Sequence, residues 1–172
     1  TDPVKLIRLR VSNTGARPRR LSATFYIEWV LGVLREHASM NVLCTLDPES
    51  GALFARSAWA GDFAGRIAFA DVARRPRSFT TDRTEFLGRH GTPDAPAALW
   101  RERLSDRAGE LCDPCAALMT VLEVPAGAAA IPVGFSGAGV VAAGSTAAAG
   151  AGGAAASSGG GGLSTGVIVG GL

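Results

Sequence analysis

Charge is absent from the last 49 residues of this 172-residue chain: every Lys, Arg, Asp and Glu lies at or before Glu123. Large side chains thin out in the same place, where alanine, glycine and serine dominate and 15 of the 23 glycines follow Val124. Too little apolar area is left there to offset chain entropy, so residues 128–172 are expected to form a disordered or loosely attached low-complexity tail. A membrane span is not expected, because it takes roughly 20 strongly apolar residues in succession. Cysteine is scarce too. Cys44, Cys112 and Cys115 are too few for a disulfide framework, which points to a reduced, cytoplasmic setting. Cys112 and Cys115 make half a zinc site with no second pair, so neither a metal nor another cofactor is expected. Seventeen basic residues against fifteen acidic ones give a net charge of +2, too weak a balance to suggest nucleic acid. There is no apolar run behind a basic start and no glycine loop with a Lys-Ser/Thr ending, which argues against a signal peptide and a mononucleotide site. The opening Thr1-Asp2-Pro3-Val4-Lys5, without an initiator Met, suggests a chain that begins inside a longer protein.

What is present reads as strands. Leu21, Ala23, Phe25, Ile27, Trp29 and Leu31 alternate with Ser22, Thr24, Tyr26, Glu28 and Val30, a period of two that predicts a long strand with one buried face. Lys5 to Val11 is a second apolar run, ended by Asn13-Thr14-Gly15 and expected to pair with the first as an antiparallel hairpin. Asp47-Pro48-Glu49-Ser50-Gly51 between two further runs is a strong hairpin turn. Arg66 to Asp71 adds a short strand. Cys115 to Val124 is strand or helix, its second half favouring strand. Ile131 to Phe135 offers one more short strand, and Val167-Ile168-Val169 is too brief to anchor much. Short strands between turn signals predict an all-β, antiparallel β-sandwich over residues 1–127.

The residues with chemistry concentrate between Ser78 and Leu118, a polar and irregular stretch of the kind that carries binding groups on a rigid scaffold. Asp82 and Glu85 form the tempting acid pair, with Arg83 between them and Arg89 close behind. Nearby guanidinium groups would hold both carboxylates ionised, so a local Asp-Arg-Glu-Arg network pinning the loop to the sheet is the simpler expectation. Arg83 and Arg89 could instead grip a sugar or a phosphate, since their planar forks match oxyanions and hydroxyls. Trp59, Trp100, Phe79 and Phe86 are candidates for stacking on sugar faces, Trp59 foremost because it sits in a loop; Trp29 belongs to the core.

Several of these stretches resemble a known family in matching order. They are Asn13-Thr14, RRLSATFYIEWVLG (19–32), LDPESGALFAR (46–56), TTDRTEFLGRHG (80–91), PAAL (96–99), LSDRAG (104–109) and DPCAAL (113–118). Together they are similar to the sugar-binding β-sandwich of glycoside hydrolase family 94, formerly glycosyltransferase family 36, which includes cyclic β-1,2-glucan synthetases and β-glucoside phosphorylases. The likeness runs from about Val4 to Gly127. It departs at Ser57-Ala58-Trp59-Ala60-Gly61, where relatives carry an Asn-Pro-Tyr-Asn-like stretch, and after Gly127, where the ending looks truncated or frame-shifted.

The resemblance implies part of a supersandwich that precedes an (α/α)-barrel housing the general acid and most of the phosphate site. The chain would then be a carbohydrate-binding or scaffold portion with no catalytic residue, a β-glucan or oligosaccharide as partner, and inorganic phosphate met only through the parent enzyme. The parent itself could be attached to the inner membrane through other domains. Arg83, Arg89, Trp59, Asp82 and Glu85 are the expected contact residues. Two alternatives stay open: a purely structural sandwich mediating subunit contacts, with a homodimer through open sheet edges, or a small glycosidase using Asp82 and Glu85.

Overall fold

The computed structural model describes residues 4–32, 34–59, 65–109, 113–128, 131–142 and 165–171. Nine strands occur in them: β1 (Val4–Val11), β2 (Arg19–Glu28), β3 (Val42–Leu46), β4 (Leu53–Ser57), β5 (Arg66–Val72), β6 (Arg77–Asp82), β7 (Pro114–Val124), β8 (Ile131–Ala142) and β9 (Thr165–Gly171). Two short helices, α1 (Arg35–Ala38) and α2 (Arg83–Leu87), and 3-10 turns at Ser39–Asn41 and Ala97–Trp100 complete the set. The strands form two sheets in which every described pairing is antiparallel. One has five strands in the order β1-β8-β5-β4-β3, the other four in the order β6-β7-β2-β9. The all-β antiparallel sandwich expected from the alternation is what the chain forms.

The core lies between the sheets. Phe25 and Ile27 of β2 and Trp29 just beyond it meet Leu53 of β4, Val72 of β5 and Phe135 of β8, all buried. The rings of Phe25 and Phe135 sit with centroids 5.5 Å apart across the interface. Burying each such side chain contributes roughly 1.5–3 kcal/mol. The β3–β4 connection turns as its sequence dictates: Gly51 N–H donates to Asp47 O at 2.7 Å, and Gly51 adopts a φ of 69°, which a residue with a Cβ adopts only with strain. Arg77, its side chain only 6% exposed, reaches from β6 to that turn. It is bonded to the Gly51 carbonyl, the Asp71 carboxylate and Val72 O, tying the β3–β4 turn to β5.

Four expectations need correction. β1 and β2 are not a hairpin: β1 pairs with β8 and β2 with β7 and β9, so the two lie in different sheets. The cause is Asn13, whose side-chain amide donates to Arg17 O, Val124 O and Pro125 O, fastening the connection to the end of β7. β2 is buried on both faces rather than one, because the chain between β6 and β7 folds over Tyr26 and its neighbours. Cys115 to Val124 resolves as strand. β8 is longer than expected, running to Ala142, and Val167-Ile168-Val169 forms the middle of β9, paired along β2. The disorder expected of residues 143–164 and the first cysteine of the pair, Cys112, lie outside the described residues; Cys44 and Cys115 are both buried.

Candidate functional site

Three strand ends meet at one end of the four-stranded sheet. Antiparallel register sets Glu28, last in β2, opposite Cys115, and Asp82, last in β6, opposite Pro114. Asp113 immediately precedes β7 and accepts the Arg83 backbone N–H at 2.8 Å. This geometry puts the first residues of the two short helices, Arg35 and Arg83, beside two carboxylates.

The four charges close into a ring. Arg83 Nε donates to Glu28 Oε1 at 2.8 Å, and its Nη1 lies 3.7 Å from Asp113 Oδ2. Arg35 Nη2 bonds Asp113 Oδ1, while its Nε lies 3.3 Å from Glu28 Oε2, close enough for charge attraction but without hydrogen-bond alignment. Tyr26 completes the set by donating its hydroxyl to Glu28 Oε1 at 2.7 Å. The ring of Tyr26 stacks on Phe86, centroids 4.8 Å apart, so its position is fixed from beneath.

Protonation follows from this arrangement. Burial works to raise the Glu28 carboxyl, but hydrogen bonds from Tyr26 and Arg83 and the two guanidinium charges outweigh it and hold the group below its ordinary value. Burial pushes the Tyr26 phenol well up, and its hydrogen bond to Glu28 adds to the effect. The hydrogen bond to Glu28 in turn keeps Arg83 firmly charged. Glu28 is therefore an anion and Tyr26 a neutral donor. Two positive charges face two negative ones, each half-buried with one side open to solvent. Such a ring can offer hydroxyl-binding groups at its rim, whereas an oxyanion would have to displace Glu28 or Asp113.

The residues singled out in the sequence scatter around this ring. Arg83 belongs to it. Asp82 does not; its carboxylate accepts Thr84 N–H at 2.8 Å and caps α2. Glu85 is held apart by Thr80 Oγ1 and Ser105 Oγ, each donating at 2.6 Å, and by Ser105 N–H. Arg101 Nη1 lies 3.6 Å from Glu85 Oε1. Burial works to raise the Glu85 carboxyl, yet these hydrogen bonds and the charge of Arg101 leave it below its ordinary value. Glu85 is thus held as an anion, and each acid is engaged with its own partners. The expected Asp82-Arg83-Glu85-Arg89 network is thus replaced by longer-range pairings, because α2 turns Arg83 toward β2 and Glu85 toward Ser105. Arg89 is exposed and makes no ion pair among the described residues.

Of the aromatic candidates, Phe79 and Phe86 are buried and unavailable for stacking. Trp59 is 79% exposed and Trp100 89%. Trp59 sits just past β4, where Ala58 N–H donates to Asn41 O at 2.6 Å. No hydrogen bond or ion pair joins Trp59 to the charged ring among the described residues. Sequence reasoning missed Tyr26, Glu28 and Arg35 as site residues. The available signal was the outward register of β2, which sets Tyr26 and Glu28 on one face, two residues apart.

Comparison with known proteins places these features. Residues 1–150 match the supersandwich domain of glycosyl hydrolase 94. The chain is also 37% identical, over 128 residues, to the cyclic beta-(1,2)-glucan synthase NdvB of Rhizobium meliloti (strain 1021). That alignment covers 74% of this chain and 4% of the relative, so the chain spans a small fraction of the relative's length. The chain, a two-sheet antiparallel sandwich, belongs to the glycosyl hydrolase 94 family, as a supersandwich domain.

Proposed function

We propose that this domain is a non-catalytic, carbohydrate-associated scaffold in an enzyme that transfers glucosyl units to or from a β-glucan or phosphate. The parent would be a cyclic β-1,2-glucan synthase or a β-glucoside phosphorylase. One observation carries the reading. The carboxylates resolved at the strand ends and on α2 are tied up by Arg35, Arg83, Arg101 or backbone N–H groups, and Glu28 and Glu85 are held below their ordinary pKa. Glu28 and Glu85, held as anions, cannot supply the proton that glycosidic cleavage needs, and Asp82 is occupied as the cap of α2, which disfavours a small glycosidase using Asp82 and Glu85. They can orient sugar hydroxyls, with Arg83 and Arg35 as donors and Asp113 as acceptor, while Trp59 and Arg89 offer exposed contacts nearby in sequence to the matched motifs. Inorganic phosphate is assigned to the rest of the parent enzyme, since the ring holds no spare positive charge.

Titration calorimetry with β-1,2-linked gluco-oligosaccharides tests this. Heat of binding that disappears in Trp59→Ala or Arg83→Ala is expected, without release of glucose or glucose phosphate. Turnover by the chain alone would end the proposal. A second reading, a purely structural sandwich that forms a homodimer, is favoured by β1 and β3, each of which pairs on one side only among the described residues. Sedimentation separates the two: dimer mass without oligosaccharide binding selects the second.

A further inference from the structure

Two features come together on the outer face of the five-stranded sheet. First, it is apolar and uncovered among the described residues. Phe54 of β4 and Phe69 of β5 point away from the core, half-buried, and stand opposite one another. The register extends them into one row across all five strands: Thr45, Phe54, Phe69, position 138 of β8, and Val4. At about 4.8 Å per strand that row is roughly 19 Å wide. Val4 and Leu6 at its β1 end are 39% and 36% exposed.

Second, its charges are unbalanced. Arg8 and Arg10 share the outward side of β1 with Leu6, and Arg56 shares that of β4 with Phe54. None of the three makes an ion pair or side-chain hydrogen bond among the described residues. The carboxylate on this side, Asp71, is buried and already engaged by Arg77 and Arg75. By contrast Arg35 and Arg83 of the strand-end ring, and Arg101 and Arg103 over the other sheet, each meet a carboxylate.

We propose that this face docks a second protein surface, apolar at its centre and carrying Asp or Glu opposite Arg8, Arg10 and Arg56. The charge pattern selects this occupant. A second copy laid face to face would set arginine against arginine, with no free carboxylate among the described outward residues of these strands to separate them. A bilayer is entered by large apolar side chains that stand free of the surface, whereas Phe54 and Phe69 are each only part-exposed. An oligosaccharide needs hydrogen-bonding groups between the stacking rings, and the row supplies a hydroxyl only at Thr45. The proposal does not depend on the carbohydrate reading.

The test places p-benzoylphenylalanine at position 54 of the full natural polypeptide, irradiates it in its native cells and sequences the adduct. An adduct on an acid-bearing protein segment distinct from this chain is expected. Its yield should fall about tenfold in the Arg8→Glu/Arg56→Glu background and persist in Arg8→Lys/Arg56→Lys. The same probe in place of Arg89, on the other side of the molecule, should not give that adduct. Circular dichroism melts confirm that each variant folds. An adduct on a second copy, on lipid or on glucan, one on a segment without acids, no adduct at all, or a yield indifferent to charge reversal would each overturn the proposal.

Discussion

The two sheets are built from similar alternating strands, yet their outer faces have opposite fates. On the four-stranded sheet, Tyr26, Cys115, Ala117 and Met119 are buried beneath Phe86, Leu87, Ala98 and Leu104, which come from the chain between β6 and β7. On the five-stranded sheet, Phe54 and Phe69 face outward with no comparable layer among the described residues. One insertion makes the difference. It covers one face, and its α2 carries Arg83 to Glu28 and Asp113. Strand patterning fixes which residues face away from the core; a separate segment decides whether that second face is buried.

The sharpest way to break this comparison is to truncate one aromatic on each outer face. Phe86→Ala should cost about 3–5 kcal/mol, because it removes a fully buried ring and leaves a cavity against Tyr26. Phe54→Ala should cost about 1 kcal/mol or less, since much of its transfer energy is not realised where no layer covers it. Urea denaturation of the two variants reads the difference directly, and equal losses would mean that both faces are covered.

A smaller effect is expected at the charged ring. Glu28→Gln keeps the shape but removes the charge that holds Arg83 and Arg35, with a loss of about 1–3 kcal/mol in the same urea experiment. Asp113 would then carry both guanidinium groups alone. If Glu28→Gln is neutral, the ring is an ornament of the surface rather than a clasp between β2, α1 and α2.

Much of the fold was legible in the chain because it rests on local chemistry. The β2 alternation and the Asp47-Pro48-Glu49-Ser50-Gly51 turn each state their structure within a dozen residues. Partner choice did not, because β1 and β8 lie at opposite ends of the sandwich in sequence and no local signal links them. β8 itself was hard to see, since its glycines read as low complexity. Gly137 has a spatial reason: a Cβ there would approach Ile27 Cδ1 and Phe69 O at 3.3 Å, so the close approach of β8 to β2 demands a small residue. The site was half legible for the same reason. Arg83 stood out by composition, but its partner Glu28 is 55 residues away and looked like an ordinary outward residue of a strand. Asp82 and Glu85 attracted attention by proximity, although one caps a helix and the other serves Ser105.

The gentlest way to sharpen the contrast is pH. Glu28 and Glu85 both sit below the ordinary carboxyl value of 4.5 in the folded chain, and both belong to the covered side of the molecule. A carboxyl whose folded pKa is depressed gives stability that is complete above its unfolded pKa and is lost as pH falls through the folded one. Stability should therefore be level above about pH 5.5 and decline as acid protonates first the unfolded chain and then these two groups. Glu28→Gln combined with Glu85→Gln should flatten that decline while lowering the neutral plateau. Changes on the open sheet, such as Phe54→Ala, should shift the whole curve without altering its slope, because they leave in place every carboxyl held below its ordinary value, Asp47 of the β3–β4 turn included. Thermal midpoints measured from pH 7 to pH 3 on the three proteins decide it; a slope unchanged in the double variant would mean that other carboxylates carry the acid response.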